Sequence, residues 1–184
     1  MVQYFYDTSL NGNTTKPLDI YRGTEKIGVV RGSYDNIIKK FIDEFGDSKF
    51  SPSFLKYELK DNPGLVRIIT KPLGFMKGKI AVSYLDSDDN KHEILMKDMK
   101  NVSFGSKQVE FEYRETNCLI YKERSTNPLN PKPAEMYIGE RLIADWKIDV
   151  SNKQVVVNIL DLDFMGEEYL ILGLFHAYLY ATKG

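Results

Sequence analysis

The chain has little of what most enzyme chemistry requires. Its 184 residues include one cysteine, Cys118, which excludes an internal disulfide and fits a reducing compartment. Two histidines, His92 and His176, do not make the paired imidazoles of a zinc site. There is no Gly-x-Ser-x-Gly elbow, and Gly74-Phe75-Met76-Lys77-Gly78-Lys79 is neither a Walker A loop nor a dinucleotide fingerprint. A charge excess is missing too: 25 basic residues stand against 26 acidic ones, so no whole-protein field favours nucleic acid or an anionic membrane. No apolar run approaches the about 20 residues that cross a bilayer as a helix. The opening residues, Met-Val-Gln-Tyr-Phe-Tyr-Asp, lack the basic and apolar regions of a secretory signal. The expectation is a cytoplasmic protein, free or peripheral at a membrane, that is no enzyme and uses no cofactor, metal or nucleic acid.

What the chain does have is alternation. In Arg141–Asp149, Arg141, Ile143, Asp145, Lys147 and Asp149 share one face, and Leu142, Ala144, Trp146 and Ile148 the other. That is a strand with one side buried. In the same way Val109, Phe111 and Tyr113 oppose Gln108, Glu110, Glu112 and Arg114. Turn residues punctuate the runs at 22–25, 61–64, 86–90, 138–140 and 151–152. About twelve strands joined as consecutive hairpins are expected, in an antiparallel barrel or sandwich filling one domain, 1–184. Around Ile37, Ile38, Phe41, Ile42 and Phe45 the spacing is helical instead, with Ser33 a cap and Gly46 a stop. An echo links Tyr21-Arg22-Gly23-Thr24-Glu25-Lys26-Ile27 with Tyr137-Ile138-Gly139-Glu140-Arg141-Leu142. Duplicated half-barrels and convergent hairpin chemistry both explain it.

The last segment reads differently. Residues 169–181 are thirteen uncharged, mostly apolar residues, too few to span a bilayer. A helix apolar on every side is buried on every side. The strands before it are therefore expected to encircle the helix of 167–181. Asp161, Asp163, Glu167 and Glu168 suit the positive end of its dipole, with Asp163 as cap.

Hairpins closed by an apolar C-terminal helix resemble the tubby C-terminal domain and its relatives, the LURP-one-related proteins and the phospholipid scramblases. The local resemblance lies in Glu140-Arg141-Leu142-Ile143-Ala144-Asp145-Trp146-Lys147-Ile148, then Lys153-Gln154-Val155-Val156-Val157, then the helix. It implies a closed barrel of about twelve strands threaded by its last helix, with the amphipathic helix packed outside. It also implies a binding or membrane-associated role, phosphoinositides being the ligands that tubby proteins hold through basic residues.

The candidate surface for such a role is 65–85. Between Asp61 and Asp86 no acidic residue occurs, while Arg67, Lys71, Lys77 and Lys79 do. Alternation turns Val66, Ile68, Ile80, Val82 and Tyr84 inward and the four cations outward. Phe75 and Met76 stand at the tip between the strands. Cations beside an apolar tip suit an anionic phospholipid with shallow insertion, each worth about 1 kcal/mol near a charged membrane. The same pattern is that of a solvated strand face with Phe75 and Met76 folded over the barrel end. Asp86, Asp88 and Asp89 share a turn, but Lys91 and Lys97 stand where a calcium loop needs glycine and glutamate. Cys118 reads as a buried thiol, His176 as a core residue bonded to a carbonyl or tyrosine hydroxyl, and Trp146 and the tyrosines as core and rim. Two functions lead, a non-catalytic intracellular module that binds phospholipid or a lipid-like ligand and a protein-interaction scaffold using 128–133 or the outer helix, and an enzyme of unknown chemistry comes third.

Overall fold

The computed structural model describes residues 1–7, 15–38, 55–73, 78–99, 106–123 and 132–181, without the side chains of 180 and 181. Its strands are β1 (Val2–Asp7), β2 (Leu18–Arg22), β3 (Glu25–Ser33), β4 (Lys56–Asp61), β5 (Val66–Pro72) and β6 (Lys79–Leu85). They continue as β7 (Lys91–Asp98), β8 (Lys107–Tyr113), β9 (Thr116–Lys122), β10 (Ala134–Ile138), β11 (Arg141–Asp149) and β12 (Gln154–Ile159). A 3-10 turn, Leu162–Glu167, leads into the helix α1, Glu168–Ala181. Each strand pairs antiparallel with its neighbours in sequence, and β1 joins both β2 and β12, closing the barrel.

Strand number explains the helix. Eight strands enclose a lumen that side chains alone can fill, and the lumen widens roughly in proportion to strand number. Twelve leave room for an α-helix, about 10 Å across with its side chains. Nine consecutive residues of α1, from Leu170 to Tyr178, are buried. The helix meets walls all round: Tyr6 of β1 and Tyr57 of β4 flank His176, and Trp146 of β11 lies edge-on to Phe175 and Tyr178. It runs closest to β5. A Cβ at Gly173 would come within 2.4 Å of Ile68 Cδ1, so this turn of helix has room for hydrogen only. His176 is the core residue the sequence suggests, the Tyr6 hydroxyl lying 3.0 Å from Nδ1.

The strands largely obey the alternation, with departures on β3, β11 and β12, where consecutive residues are buried. Ile143, expected on the polar face of β11, is completely buried. Met136 pairs with Ala144 and Tyr137 with Leu142, which leaves Ile143 as the extra residue of a β-bulge. Its freed carbonyl accepts from Leu160 N at 2.8 Å and Asp161 N at 3.2 Å, where the chain turns toward the lumen. A second bulge stands at the matching place of the echo: Ile20 pairs with Gly28 and Tyr21 with Lys26, leaving Ile27 over. The Ile27 carbonyl accepts from Tyr169 Oη at 3.0 Å. Both hairpins turn through a glycine at positive φ, Gly23 at 60° and Gly139 at 59°. The echo is thus a bulged hairpin used twice to hold the start of the helix. It relates β2–β3 to β10–β11, eight strands on, whereas duplicated halves of a twelve-strand barrel would differ by six.

Two further expectations shift. Asp161, rather than Asp163, caps the 3-10 turn, its carboxylate accepting from Asp163 N. Ser33 belongs to β3, and of the expected outer helix only Ile37 and Ile38 are described, both helical and exposed; the rest lies outside the described residues.

Candidate functional site

The antiparallel path gives the barrel two dissimilar ends. At the proximal end, where α1 begins, strands are joined by short turns. At the distal end, where α1 finishes, every connection except that between β11 and β12 includes residues outside the described ones.

At the proximal end charges are consumed by one another. Glu167 is buried and accepts from Tyr113 Oη at 2.8 Å and an Arg114 guanidinium nitrogen at 2.7 Å. Arg114 and Glu115 form the β8–β9 turn with φ of 48° and 61°, an uncommon conformation for residues with side chains. Glu168 accepts from Tyr4 Oη at 2.5 Å and lies 3.6 Å from Arg22, which also holds Glu25 at 2.9 Å. Burial and these carboxylates push the Tyr4 and Tyr113 hydroxyls far above the ordinary tyrosine range. Arg141 bridges Asp161 and Asp163. Asp86 accepts from Asp88 N and Asn90 N, each at 2.9 Å, and pairs with His92 Nε2 at 2.8 Å. The His92 bond and those amides hold its pKa down to about 2. The carboxylates here face the positive end of α1, and the arginines answer the carboxylates.

At the distal end lysines stand opposite lysines. Lys79 of β6 pairs in register with Lys97 of β7, both outside Ile80 and Met96, which are buried. Glu110, the register partner of Lys97 on β8, accepts instead from Gln108 Nε2 at 2.8 Å. On the next two strands Lys107 of β8 pairs with Lys122 of β9. This pair faces inward, in phase with Val109 and Phe111 on one strand and Cys118 and Ile120 on the other. Lys107 Nζ lies 4.8 Å from the Tyr178 ring centroid, and Lys122 Nζ 4.9 Å from that of Trp146. Burial, partly countered by Asp98, lowers the Lys107 pKa to about 8, and burial lowers that of Lys122. Like charges directly opposite one another destabilise a sheet. Two such pairs on four consecutive strands are a local cost to folding.

The cations singled out in the sequence do not converge. Arg67 starts β5 at the proximal end, held by Asp61 at 2.6 Å and Asp89 at 2.5 Å. Burial works against the Asp61 carboxylate, yet the bonds from Arg67, Leu65 N and Gly64 N leave its pKa below the usual value. Five residues at about 3.3 Å each separate Arg67 from the far end of its strand. Lys71 reaches the distal end but pairs with Asp35 at 2.9 Å. Lys79 lies on the lysine rim, while Phe75, Met76 and Lys77 lie outside the described residues. Sequence reading missed Lys97, Lys107 and Lys122. A signal for the last two existed, because both fall on the inward phase of strands whose other inward positions are apolar. Cys118 is buried, and burial raises its thiol to about 11, far from a nucleophile's range.

This architecture and the sequence meet in one comparison. The family model of the Tubby C-terminal like domain matches residues 4–181. The chain belongs to that family. The match takes in β2 to β12 whole, most of β1 and all of α1, so the barrel and its core helix are the tubby-like domain itself. No curated protein and no solved structure gives a match to this chain. Within the tubby-like frame, the four lysines of β6–β9 are the candidate site.

Proposed function

We propose that this chain is a non-catalytic module that docks on an anionic phospholipid surface through the distal end of its barrel. The Lys79–Lys97 pair carries the reading: two outward ammoniums stand opposed at the end of a hairpin, with no salt bridge to either among the described residues. A negative surface resolves that repulsion and gains about 1 kcal/mol from each lysine near it. Membership of the tubby-like family supports the reading, since phosphoinositide binding is what the resemblance implies. Phe75 and Met76, between the distal ends of β5 and β6, are the residues proposed to insert, with Lys77 beside them. Arg67 has no part in it, being engaged at the other end.

The test is co-sedimentation with phosphatidylcholine vesicles, with and without phosphatidylserine or phosphatidylinositol phosphates. The wild type pellets only with the anionic vesicles. Lys79→Gln with Lys97→Gln weakens partition about thirtyfold, and Phe75→Ser with Lys77→Glu weakens it independently. A wild-type chain that stays in the supernatant with every anionic vesicle overturns the reading and leaves a protein partner as the alternative.

A further inference from the structure

The inward lysines belong to a different construction from the outward ones. Ladder register sets Lys107, Lys122, Ala134 and Trp146 side by side across β8, β9, β10 and β11. Strands lie about 4.8 Å apart, so the row spans three such steps. Ala134 sits between Lys122 and Trp146 and is completely buried. Because it stops at a methyl group, the Lys122 ammonium can cross it and lie 4.9 Å from the indole centroid. Tyr178 of α1 closes the row from the lumen, its ring 6.0 Å from that of Trp146.

All that these strand side chains offer at the distal mouth is donation. Two ammoniums and one indole N–H can donate, and none of the three can accept. Trp146 is 1% exposed, and its Nε1 has no acceptor among the described residues. A buried donor without an acceptor is among the costlier defects of a folded protein. Asp98 is a carboxylate whose field reaches Lys107 and Tyr178. It stands on β7, on the side of Lys107 away from Lys122 and Trp146. Among the described residues, no carboxylate is therefore placed at the Lys122–Trp146 end of the row.

The geometry points to an oxyanion site in the distal mouth of the barrel, in which Lys107, Lys122 and the Trp146 indole N–H hold one phosphate or carboxylate group. The aromatic rings give that group an apolar wall, and the two ammoniums supply charge-assisted hydrogen bonds. Lys79 and Lys97 point away from this mouth, so the site does not depend on the outer rim or on membrane docking. The oxyanion is either a free small anion or the head of a lipid.

Trp146 is the chain's only tryptophan, so fluorescence excited at the red edge of the absorption band, where the twelve tyrosines absorb little, reads this site. The full chain is titrated at constant ionic strength with inorganic phosphate, with octanoate, and with vesicles containing phosphatidic acid, chloride serving as the control. The expected result is a saturable change in Trp146 emission with at least one of the three and none with chloride. A response to vesicles alone identifies the lipid head as source, and a response to phosphate or octanoate in solution identifies the free anion. Lys107→Met and Lys122→Met, shown folded by circular dichroism, each weaken binding at least about tenfold, and Lys122→Arg restores it. Lys79→Gln with Lys97→Gln leaves the phosphate and octanoate titrations unchanged. The site is refuted if all three titrations are flat, or if the response survives unaltered in Lys107→Met, which tests the row even should Lys122→Met fail to fold.

Discussion

The two ends of this barrel carry charge to opposite purposes. At the proximal end Arg22, Arg67, Arg114 and Arg141 each meet at least one carboxylate, and Glu167 and Glu168 lock the start of α1 to β8, β1 and β2. At the distal end Lys79 faces Lys97, and Lys107 faces Lys122. The helix accounts for part of the asymmetry, since its amide end attracts carboxylates and its carbonyl end attracts cations. It does not account for lysines placed against each other, two of them looking away from the helix. Residue type follows that division in the network around the start of α1 and in the opposed lysine pairs, although Lys26 and Lys91 also make proximal ion pairs. Arginine's planar fork suits fixed bidentate pairing, whereas lysine is a mobile point charge suited to a surface or an anion. Charge at the proximal end is structural; at the distal end Lys56, Lys71 and Lys132 are likewise paired, with Glu58, Asp35 and Glu123, and the contrast lies in the Lys79–Lys97 pair, which has no salt bridge among the described residues.

That contrast is open to attack from both sides. The largest effect is expected from Glu167→Leu, which strands Arg114 and the Tyr113 hydroxyl and removes about 3 kcal/mol of stability, read from urea unfolding. A loss below about 1 kcal/mol would show that the proximal network is not what secures the helix. Between the ends, α1 carries a single ionisable imidazole. Burial lowers the His176 pKa to about 3, so the folded chain keeps it neutral while the unfolded chain protonates it near 6.5. The unfolded state thus binds the extra proton below pH 6.5, and this group's contribution falls as pH drops from 6.5 toward 3. Its share is about 2 kcal/mol between pH 6.5 and 5, measured as the difference in slope from His176→Phe. Equal slopes would mean that the ring is charged in the fold.

The smallest effect has the opposite sign. Lys107→Met is expected to gain about 1 kcal/mol at pH 7, because it removes a desolvated charge opposed by another lysine. The folded chain releases that proton near pH 8 and the unfolded chain near 10.5, so stability of the wild type rises through this interval. The advantage of the variant is therefore full below pH 8 and gone above 10.5. Thermal unfolding of both chains across pH 7 to 10.5 checks it. A loss of stability at pH 7 would make Lys107 a counterion of the helix's carbonyl end rather than a charge that costs the fold more than it contributes.

Legibility in the sequence followed the range of the interactions involved. Glycine and Asx turns were visible because Gly23, Gly64 and Gly139 take backbone angles that other residues rarely adopt. The Arg114-Glu115 turn was not, since neither residue type favours positive φ, and tertiary contacts to Glu167 hold it there. Ile143 was assigned to the wrong face because a bulge shifts phase by one residue and depends on the partner strand. Arg67 and Lys79 were grouped because they share a hairpin, but a strand's length separates them and Asp61 and Asp89 claim the first.

Alternating strands and an all-apolar final segment already required a core helix wrapped in sheet, because period-two burial and all-round apolarity are properties of the local chain. Tertiary structure alone decided which charges are spent and which are spare. Pairing across a ladder joins residues far apart in sequence, such as Lys79 with Lys97 or Ala134 with both Lys122 and Trp146. Register is set by the closure of the whole barrel, and no single segment encodes it.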